Sequence, residues 1–281
     1  DTAKFPEGLR GFAEECDGDG LRTGLWLAPF VCETRSAIYR EHPDWLLRVN
    51  GEPWYCGCNW SGFYALDIDN QEVQAYLKNV FHRVLEDWGF DLVKLDFLYA
   101  AAPLGSERES RAARMARAMA LLRQWCGDKL ILGCGVPLMP CFGVVDYCRI
   151  GCDVSLDWDD KWFMRLIHRE RVSTRQSIDN TIFRRQLNGR AFGNDPDVFL
   201  LRDENCTLTP AEKQKLAAAN GCFSQILLCS DPVERYSAEN RERYAWVQQL
   251  FDRAEEIKTE ADNGLSIGFR LDGKRYSIRI R

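Results

Sequence analysis

The segment of residues 90–99, FDLVKLDFLY, has the apolar composition of a buried β-strand, yet it carries Lys94 and Asp96 with a single residue between them. Because side chains alternate between the two faces of a strand, these two charged residues point to the same side. Unpaired charge is costly to bury, so the lysine and the aspartate must pair with each other or bind a ligand. The segment alone leaves a structural ion pair and a functional site equally open.

A long amphipathic helix leads directly into this strand. In residues 71–88 apolar side chains recur at intervals of three and four, and Gly89 is a typical helix stop. Helix and strand patterns alternate along the chain, with seven candidate strands: residues 21–30, 64–68, 90–99, 129–135, 144–150, 191–201 and 223–231. This alternation predicts a parallel sheet.

The predicted fold class is α/β, most simply a (β/α)8 TIM barrel of which seven strands are visible. A doubly wound sheet is the rival, but no glycine-rich phosphate loop follows any candidate strand. Residues 264–281 alternate with period two around Asp272 and Gly273, which predicts a β-hairpin. We therefore expect an N-terminally incomplete barrel domain over residues 1–258 and the beginning of a C-terminal antiparallel β domain over residues 259–281.

Charge and cysteine content narrow the functional class. The net charge is −5 without a stripe of Lys or Arg, so we expect no nucleic-acid partner. Twelve cysteines are scattered without CxxC pairs at zinc spacing, which favours reduced thiols in the cytoplasm over a disulfide framework. No apolar run approaches the roughly 20 residues of a membrane span, and the charged first residues do not resemble a signal peptide, so we expect no membrane partner.

In a TIM barrel the catalytic residues lie at the C-terminal ends of the strands. That rule selects the following polar residues: Lys94, Asp96, Cys134, Arg149, Asp153, Asp195 and Asp197. Two carboxylates from different strand ends are what glycoside hydrolysis requires, one at the anomeric carbon and one to protonate the leaving oxygen. Five tryptophans near strand ends or loops offer faces for a sugar ring: Trp26, Trp45, Trp54, Trp60 and Trp158.

Ordinary structural roles compete with these functional ones. Asp195 and Asp197 lie in an Asn-Asp-Pro-Asp sequence, whose residues favour turns through local hydrogen bonds, so turn formation is the simpler explanation. Any single tryptophan is more often a core residue than a binding surface. The chain has only three histidines, which leaves little material for a Ser-His-Asp triad or a multi-histidine metal site.

Seven motifs occur in a fixed order along the chain: GLWLAPF, HPDW, YALDI, GFDLVKLDFLYA, LGCG, RIGCDV and NDPDVFLLR. In this order and at these intervals they resemble the catalytic barrel of glycoside hydrolase family 36, the α-galactosidase family also called melibiase. The resemblance runs from Lys4 to about Asp231. It implies a retaining hydrolase that removes terminal α-linked galactose from oligosaccharides, without a metal or an organic cofactor.

The resemblance also implies catalytic roles. Asp96 in KLDF matches the nucleophile of the family, and Asp153 in RIGCDV matches its acid/base. Lys94 matches a lysine that binds galactose hydroxyls. Retention of configuration requires the two carboxyl groups to lie about 5 Å apart.

Further residues match the sugar-binding part of the family site. Cys134 and Gly135 match a small cysteine-containing loop near the second carbon of the sugar, Arg149 matches an arginine near the acid/base, and Trp158 is a candidate wall residue. Because Gly135 is small and leaves room for an acetamido group, an α-N-acetylgalactosaminidase is an alternative. A galactosyl-transferring relative and a non-catalytic carbohydrate-binding barrel are the others.

One part of the family pattern does not occur in this sequence. Family members carry an aspartate pair at the end of the first barrel strand and usually a large β-sandwich before it, whereas this sequence begins at the loop after that strand. A barrel without one strand has two unpaired edges, which natural proteins normally cover. We therefore expect a fragment of a longer protein. A second chain that supplies the strand and a degenerate homologue are the alternatives, and a homo-oligomer is left open.

Overall fold

The computed structural model describes residues 3–105, 109–167, 171–261 and 264–281. The chain divides into two compact units, Asp1–Cys148 and Arg149–Arg281. The elements of the first unit are α1 (Gly8–Gly18), β1 (Gly24–Leu27), β2 (Val31–Glu33), α2 (Ala37–Glu41), β3 (Arg48–Val49), β4 (Glu52–Pro53), β5 (Tyr55–Gly57), β6 (Phe63–Ala65), α3 (Gln71–His82), β7 (Leu92–Leu95), α4 (Arg111–Cys126), β8 (Leu130–Gly133) and β9 (Tyr147–Arg149), whose last residue opens the second unit.

Four parallel strands of the first unit run in the order β1, β7, β8, β9. Leu27 lies beside Leu95, and Val93 lies beside Ile131 on the other side of β7. Leu95, Val93 and Ile131 are fully buried, as expected for a parallel strand that is covered on both faces. The predicted parallel α/β arrangement is confirmed.

The helix before β7 forms where the sequence predicts it. Asn70 caps α3, since its side-chain oxygen accepts a hydrogen bond from the Glu72 N–H at 2.8 Å. The helix buries Val73, Leu77 and Phe81 along one side and continues as a π-helical turn over Arg83–Asp87. This buried stripe explains the three-and-four spacing of apolar residues in the sequence.

The prediction that residues 64–68 form a barrel strand is wrong. β6 pairs antiparallel with β2 on one side and with β5 on the other, in a separate three-stranded sheet. Leu66 and Ile68 are buried, but they follow the strand. A short apolar run looks the same for a strand of either sheet, so periodicity cannot assign it.

The second unit contains α5 (Met164–Ile167), α6 (Thr174–Phe183), β10 (Gly193–Asp195), β11 (Val198–Phe199), α7 (Pro210–Phe223), β12 (Leu228–Cys229), α8 (Ala238–Arg253), β13 (Glu255–Glu260), β14 (Ser266–Leu271) and β15 (Lys274–Arg279). A capping box of Thr209 and Glu212 starts α7, with Pro210 at its first position, as the sequence predicts. The core of this unit gathers apolar residues of α6, α7, α8 and β14.

Two of the predicted strands are shorter in the structure. Residues 191–201 form two short strands, β10 and β11, separated by Pro196 and Asp197. Residues 223–231 contribute only the two residues of β12, which pairs parallel with β11. Phe223 instead ends α7 and is buried with the helix, so this apolar run belongs partly to a helix face.

The chain ends in an antiparallel sheet of β13, β14 and β15. Asp272 and Gly273 connect β14 to β15 with φ angles of 50° and 77°, the left-handed pair that a tight hairpin turn requires. The predicted hairpin is confirmed. β13 was not predicted, because its sequence EEIKTE is charged and mostly exposed.

No helix within the described ranges is long and apolar enough to cross a membrane. The twelve cysteines all fall in described residues, and none of them forms a disulfide. Burial raises the pKa of Cys126 and of Cys222 to about 12. These two thiols therefore act as small apolar side chains.

Candidate active site

Asp96 directly follows β7, at the C-terminal end of that strand. Its N–H donates to the carbonyl oxygen of Leu27 at 2.8 Å, so the residue is fixed to the sheet. The carboxylate accepts two further hydrogen bonds, from the Phe97 N–H to Oδ1 at 2.7 Å and from the Trp26 indole Nε1–H to Oδ2 at 3.2 Å. Both oxygens are therefore oriented by donors of the first unit.

The backbone turns sharply after Asp96. Phe97 has a φ of 53°, in the left-handed region that a bulky aromatic residue rarely adopts. This conformation places the Phe97 N–H on the carboxylate and starts a 3-10 turn over Leu98–Ala101. Unfavourable backbone geometry of this kind clusters at functional sites.

Lys94 lies two residues before Asp96 and is half-buried. Its side chain forms no ion pair with Asp96, and no hydrogen bond or ion pair with any other residue in the described part of the chain. The structural ion pair that the sequence leaves open is therefore not formed. A half-buried ammonium group without such a partner is available to bind the hydroxyl oxygens of a ligand.

Cys134 and Gly135 follow β8, the neighbour of β7. Gly135 accepts a hydrogen bond from the Tyr99 N–H at 2.7 Å and has a φ of 56°. A Cβ atom at Gly135 would lie 3.0 Å from the Phe97 nitrogen and 3.1 Å from Asp96 Oδ1. Because Gly135 has no side chain, Asp96 and Phe97 pack closely against it and fill the space beside its Cα atom.

An aromatic cluster lies beside Asp96, with five members: Trp26, Trp60, Phe63, Phe97 and Tyr99. Trp26 remains 44% exposed and Trp60 58% exposed, so the cluster presents an open aromatic surface next to the carboxylate. Trp45, which the sequence also suggests as a face for a sugar ring, is instead buried and stacks on His42.

In the second unit Arg149 ends β9 with its side chain only 4% exposed. Its guanidinium group contacts three carboxylates: Asp153 at 2.7 Å, Asp195 at 3.1 Å and Asp197 at 2.7 Å. The planar group with five donors suits several carboxylates at once. One positive charge therefore faces three carboxyl groups, which we call the Arg149 cluster.

The turn prediction for Asp195 and Asp197 is correct but incomplete. Asp195 Oδ1 accepts the Asp197 N–H at 2.8 Å, and Asp197 has a φ of 77°. Both side chains are also buried against Arg149, with Asp195 at 0% exposure. Burial raises the pKa of Asp197; Arg149 and the Val154 N–H oppose this shift, while repulsion from Asp153 and Asp195 adds to it.

The Asp153 side chain is 57% exposed, and only Oδ1 is held by Arg149 at 2.7 Å. Its carbonyl oxygen accepts the Ser173 N–H at 3.3 Å, which ties it to the start of α6. Trp158 packs against the core of the second unit, and Lys215 Nζ lies 5.4 Å above its ring. Trp158 also borders a shallow cavity of about 260 Å³.

The sequence-predicted site residues fall into two sets. The first unit brings together Lys94, Asp96, Cys134 and Gly135, and the second unit brings together Arg149 and Asp153. Sequence reasoning missed the bond from Trp26 to Asp96 and the burial of Asp195 and Asp197. Within the described ranges, no group of three or more His, Cys, Asp or Glu side chains is arranged to hold a metal ion.

Comparison with known proteins agrees with the motifs. The Melibiase family profile matches residues 1–123, which include Lys94 and Asp96. The chain is 33% identical over 93 residues to α-galactosidase Mel36A of Lactobacillus acidophilus and 34% identical over 103 residues to α-galactosidase AgaA of Geobacillus stearothermophilus. The comparisons therefore show that residues 1–123 resemble the melibiase family of α-galactosidases.

A solved structure extends this likeness beyond the profile match. TtGalA, an α-galactosidase from Thermus thermophilus in complex with p-nitrophenyl α-D-galactopyranoside, is 31% identical to this chain, with a TM-score of 0.79 over 96% of the length of this chain. A second structure of TtGalA contains stachyose, with a TM-score of 0.76. The α/β fold with its parallel strands is consistent with an α-galactosidase catalytic domain.

The matches cover only part of these relatives. The aligned residues make up 33% and 37% of this chain, but 12% of Mel36A and 14% of AgaA. The chain spans about half the length of TtGalA, 54% of that structure.

Proposed function

We propose that this protein removes terminal α-linked galactose from oligosaccharides by a retaining double displacement. The observation that carries the proposal is the Asp96 carboxylate, which is fixed at a strand end by Trp26 and Phe97. Lys94 lies beside it without a partner among the described residues, and an open aromatic surface adjoins it. A fixed carboxylate, donors for hydroxyl groups and aromatic faces are what a glycoside site needs.

In the proposed first step an oxygen of Asp96 attacks the anomeric carbon and forms an ester with galactose, while the bond to the leaving oxygen breaks. Asp153 donates a proton to that oxygen. In the second step Asp153 takes a proton from water, which attacks the same carbon and releases Asp96. Two inversions give net retention, and no metal or organic cofactor takes part.

The Arg149 cluster positions the Asp153 side chain. Arg149 Nη1 donates to one oxygen of Asp153, while its Nε and Nη2 donate to Asp195 and Asp197. The Asp153 side chain is 57% exposed, which leaves it open to substrate or water. Lys94 is proposed to bind galactose hydroxyls, and Cys134, Gly135 and Trp158 to line the sugar site.

We further propose a (β/α)8 barrel for the catalytic domain over residues 1–258, with residues 259–281 beginning a β domain. The parallel strands β1, β7, β8 and β9 and the parallel pair β11 and β12 support the barrel. The antiparallel strands β14 and β15, together with the end of β13 (Glu255–Glu260), support the β domain. The cytoplasmic location and the oligomeric state stay predictions.

Galactose is favoured over N-acetylgalactosamine. The α-N-acetylgalactosaminidase alternative rests on free space at Gly135, but a Cβ there would already contact Phe97 and Asp96 at 3.0–3.1 Å. The smallness of Gly135 is explained by this contact, so it does not argue for an acetamido pocket.

The catalytic assignment is tested with Asp96→Asn and Asp153→Ala on p-nitrophenyl α-D-galactopyranoside. We expect Asp96→Asn to lower kcat by roughly three orders of magnitude or more, because a nucleophile acts in both steps. Asp91→Asn is the matched control, since Asp91 precedes the same strand and pairs with Lys129 instead. A fluorinated galactoside should leave a covalent adduct on Asp96, read by peptide mass spectrometry.

Azide separates the roles of the two carboxylates. In Asp153→Ala, azide should attack the glycosyl-enzyme and give α-galactosyl azide. In Asp96→Gly, azide should replace the missing nucleophile and give β-galactosyl azide. Near-normal activity of Asp96→Asn would overturn the nucleophile assignment. Sugar binding by the wild type without turnover or adduct would favour a carbohydrate-binding barrel, and a disaccharide product would favour a galactosyl-transferring relative.

A further inference from the structure

Trp60 has an unfavourable backbone conformation and an unusually exposed side chain for a large apolar residue. It follows Asn59 in a turn closed by a hydrogen bond from the Gly62 N–H to the Asn59 carbonyl oxygen at 3.0 Å. Its φ of 56° lies in the left-handed region, where such turns normally place glycine or asparagine. It is also 58% exposed. Neither the backbone conformation nor the exposure of a large apolar ring is explained by stability.

The contacts of Trp60 link it to the candidate nucleophile. Its ring packs edge to face against Trp26, with centroids 6.1 Å apart, and against Phe97 at 5.5 Å. These two residues donate the hydrogen bonds to the two Asp96 oxygens. A third contact, with Phe63 at 5.5 Å, anchors the ring to β6. Trp60 is thus held one aromatic side chain away from the carboxylate.

This geometry points to a second sugar subsite. Trp26 contacts Asp96 directly, so its ring borders the space in which the galactose attacked by Asp96 must bind. Trp60 adjoins Trp26 and extends the same aromatic surface by one ring. Pyranose rings stack their apolar C–H faces on indole, whose large rigid surface suits this contact.

Building on the proposed function, we propose that Trp60 is the platform for the leaving-group sugar, the hexose linked to the terminal galactose. Trp60 then sets the preference for oligosaccharides over simple galactosides. Its exposed position and its unfavourable φ serve to present the indole to this second ring. It acts as a binding residue and takes no part in bond making or breaking.

The test compares the 281-residue chain with Trp60→Ala, Trp60→Phe and Tyr55→Ala. Tyr55 shares the hairpin with Trp60, is 41% exposed, and packs on Tyr64, so its removal controls for disturbance of the hairpin. Two readouts are needed: kcat/KM for stachyose, which fills both subsites, and the inhibition constant of galactose, which fills only the first. Thermal unfolding checks that each variant is folded.

We expect Trp60→Ala to lower kcat/KM for stachyose by about five- to tenfold, as the loss of one aromatic stacking contact implies. The inhibition constant of galactose should stay within about twofold, since stacking on galactose itself is intact. Trp60→Phe should recover part of the loss, because it keeps an aromatic face. Tyr55→Ala should resemble the wild type in both readouts.

Two results would overturn the proposal. If Trp60→Ala weakens inhibition by galactose as much as it lowers kcat/KM for stachyose, Trp60 belongs to the first subsite. If kcat/KM for stachyose is unchanged, Trp60 does not bind the substrate. If the wild type does not hydrolyse stachyose, the proposed function fails separately, and calorimetric titration with stachyose and galactose decides the role of Trp60. The same selective loss of stachyose affinity supports the platform, and no difference between wild type and Trp60→Ala refutes it.

Discussion

Replacing Arg149 by methionine should destabilise the protein more than any surface ion-pair substitution. Arg149 is the positive charge that faces Asp195 and Asp197, whose side chains are 0% and 11% exposed. Methionine keeps the apolar stem but leaves both carboxylates buried without this partner. Breaking a buried ion pair in this way costs about 3–5 kcal/mol. Asp153 is left out of this figure, because it is exposed and solvent screens its charge.

Thermal unfolding followed by circular dichroism measures the effect. For a chain of this size, about 3–5 kcal/mol corresponds to a fall in Tm of roughly 6–20 °C at neutral pH. Burial raises the pKa of Asp197, so protonation of this carboxyl group removes its charge and the gap in Tm to the wild type should narrow as the pH falls toward 4. Arg253→Met is the control, since Arg253 pairs with Asp272 at the surface and should change stability by about 1 kcal/mol or less.

The reasoning is refuted if Arg149→Met unfolds within a few degrees of the wild type at pH 7. It is also refuted if the gap does not depend on pH, because the loss would then come from packing rather than from uncompensated charge. An equal fall in Tm for Arg253→Met would show that burial of the ion pair does not determine its contribution to stability.

Two further predictions concern the same sites. The raised pKa of Asp197 means that its contribution to stability is fully present below the unfolded value of about 4 and is lost as the pH rises through the folded value. Asp197→Asn should therefore gain stability relative to the wild type between about pH 4 and 7, and parallel Tm profiles would contradict this. Gly135→Ala should cost more stability and activity than Gly127→Ala, because both positions have φ near 55° but only Gly135 has neighbours within 4 Å. Equal Tm losses would show that backbone strain alone matters.

Local patterns predicted much of the fold. The spacing of Val73, Leu77 and Phe81 follows from one buried helix face, and the Asp272-Gly273 turn follows from its backbone requirements. Both depend on residues close in sequence, which is why they could be predicted. The strand predicted at residues 64–68 was assigned to the wrong sheet, because the partners of β6, which are β2 and β5, are set by long-range pairing that periodicity does not encode.

The candidate site divides in the same way. Strand alternation alone predicted that Lys94 and Asp96 share one face of a strand within residues 90–99. In the structure β7 covers only Leu92–Leu95, and Asp96 directly follows it. Folding reveals that the Lys94 side chain does not pair with Asp96 within the described chain, and that Trp26 donates a hydrogen bond to the carboxylate instead. It also buries Asp195 and Asp197 against Arg149. The physical reason is that charge compensation and burial depend on residues distant in sequence, which only folding brings into contact.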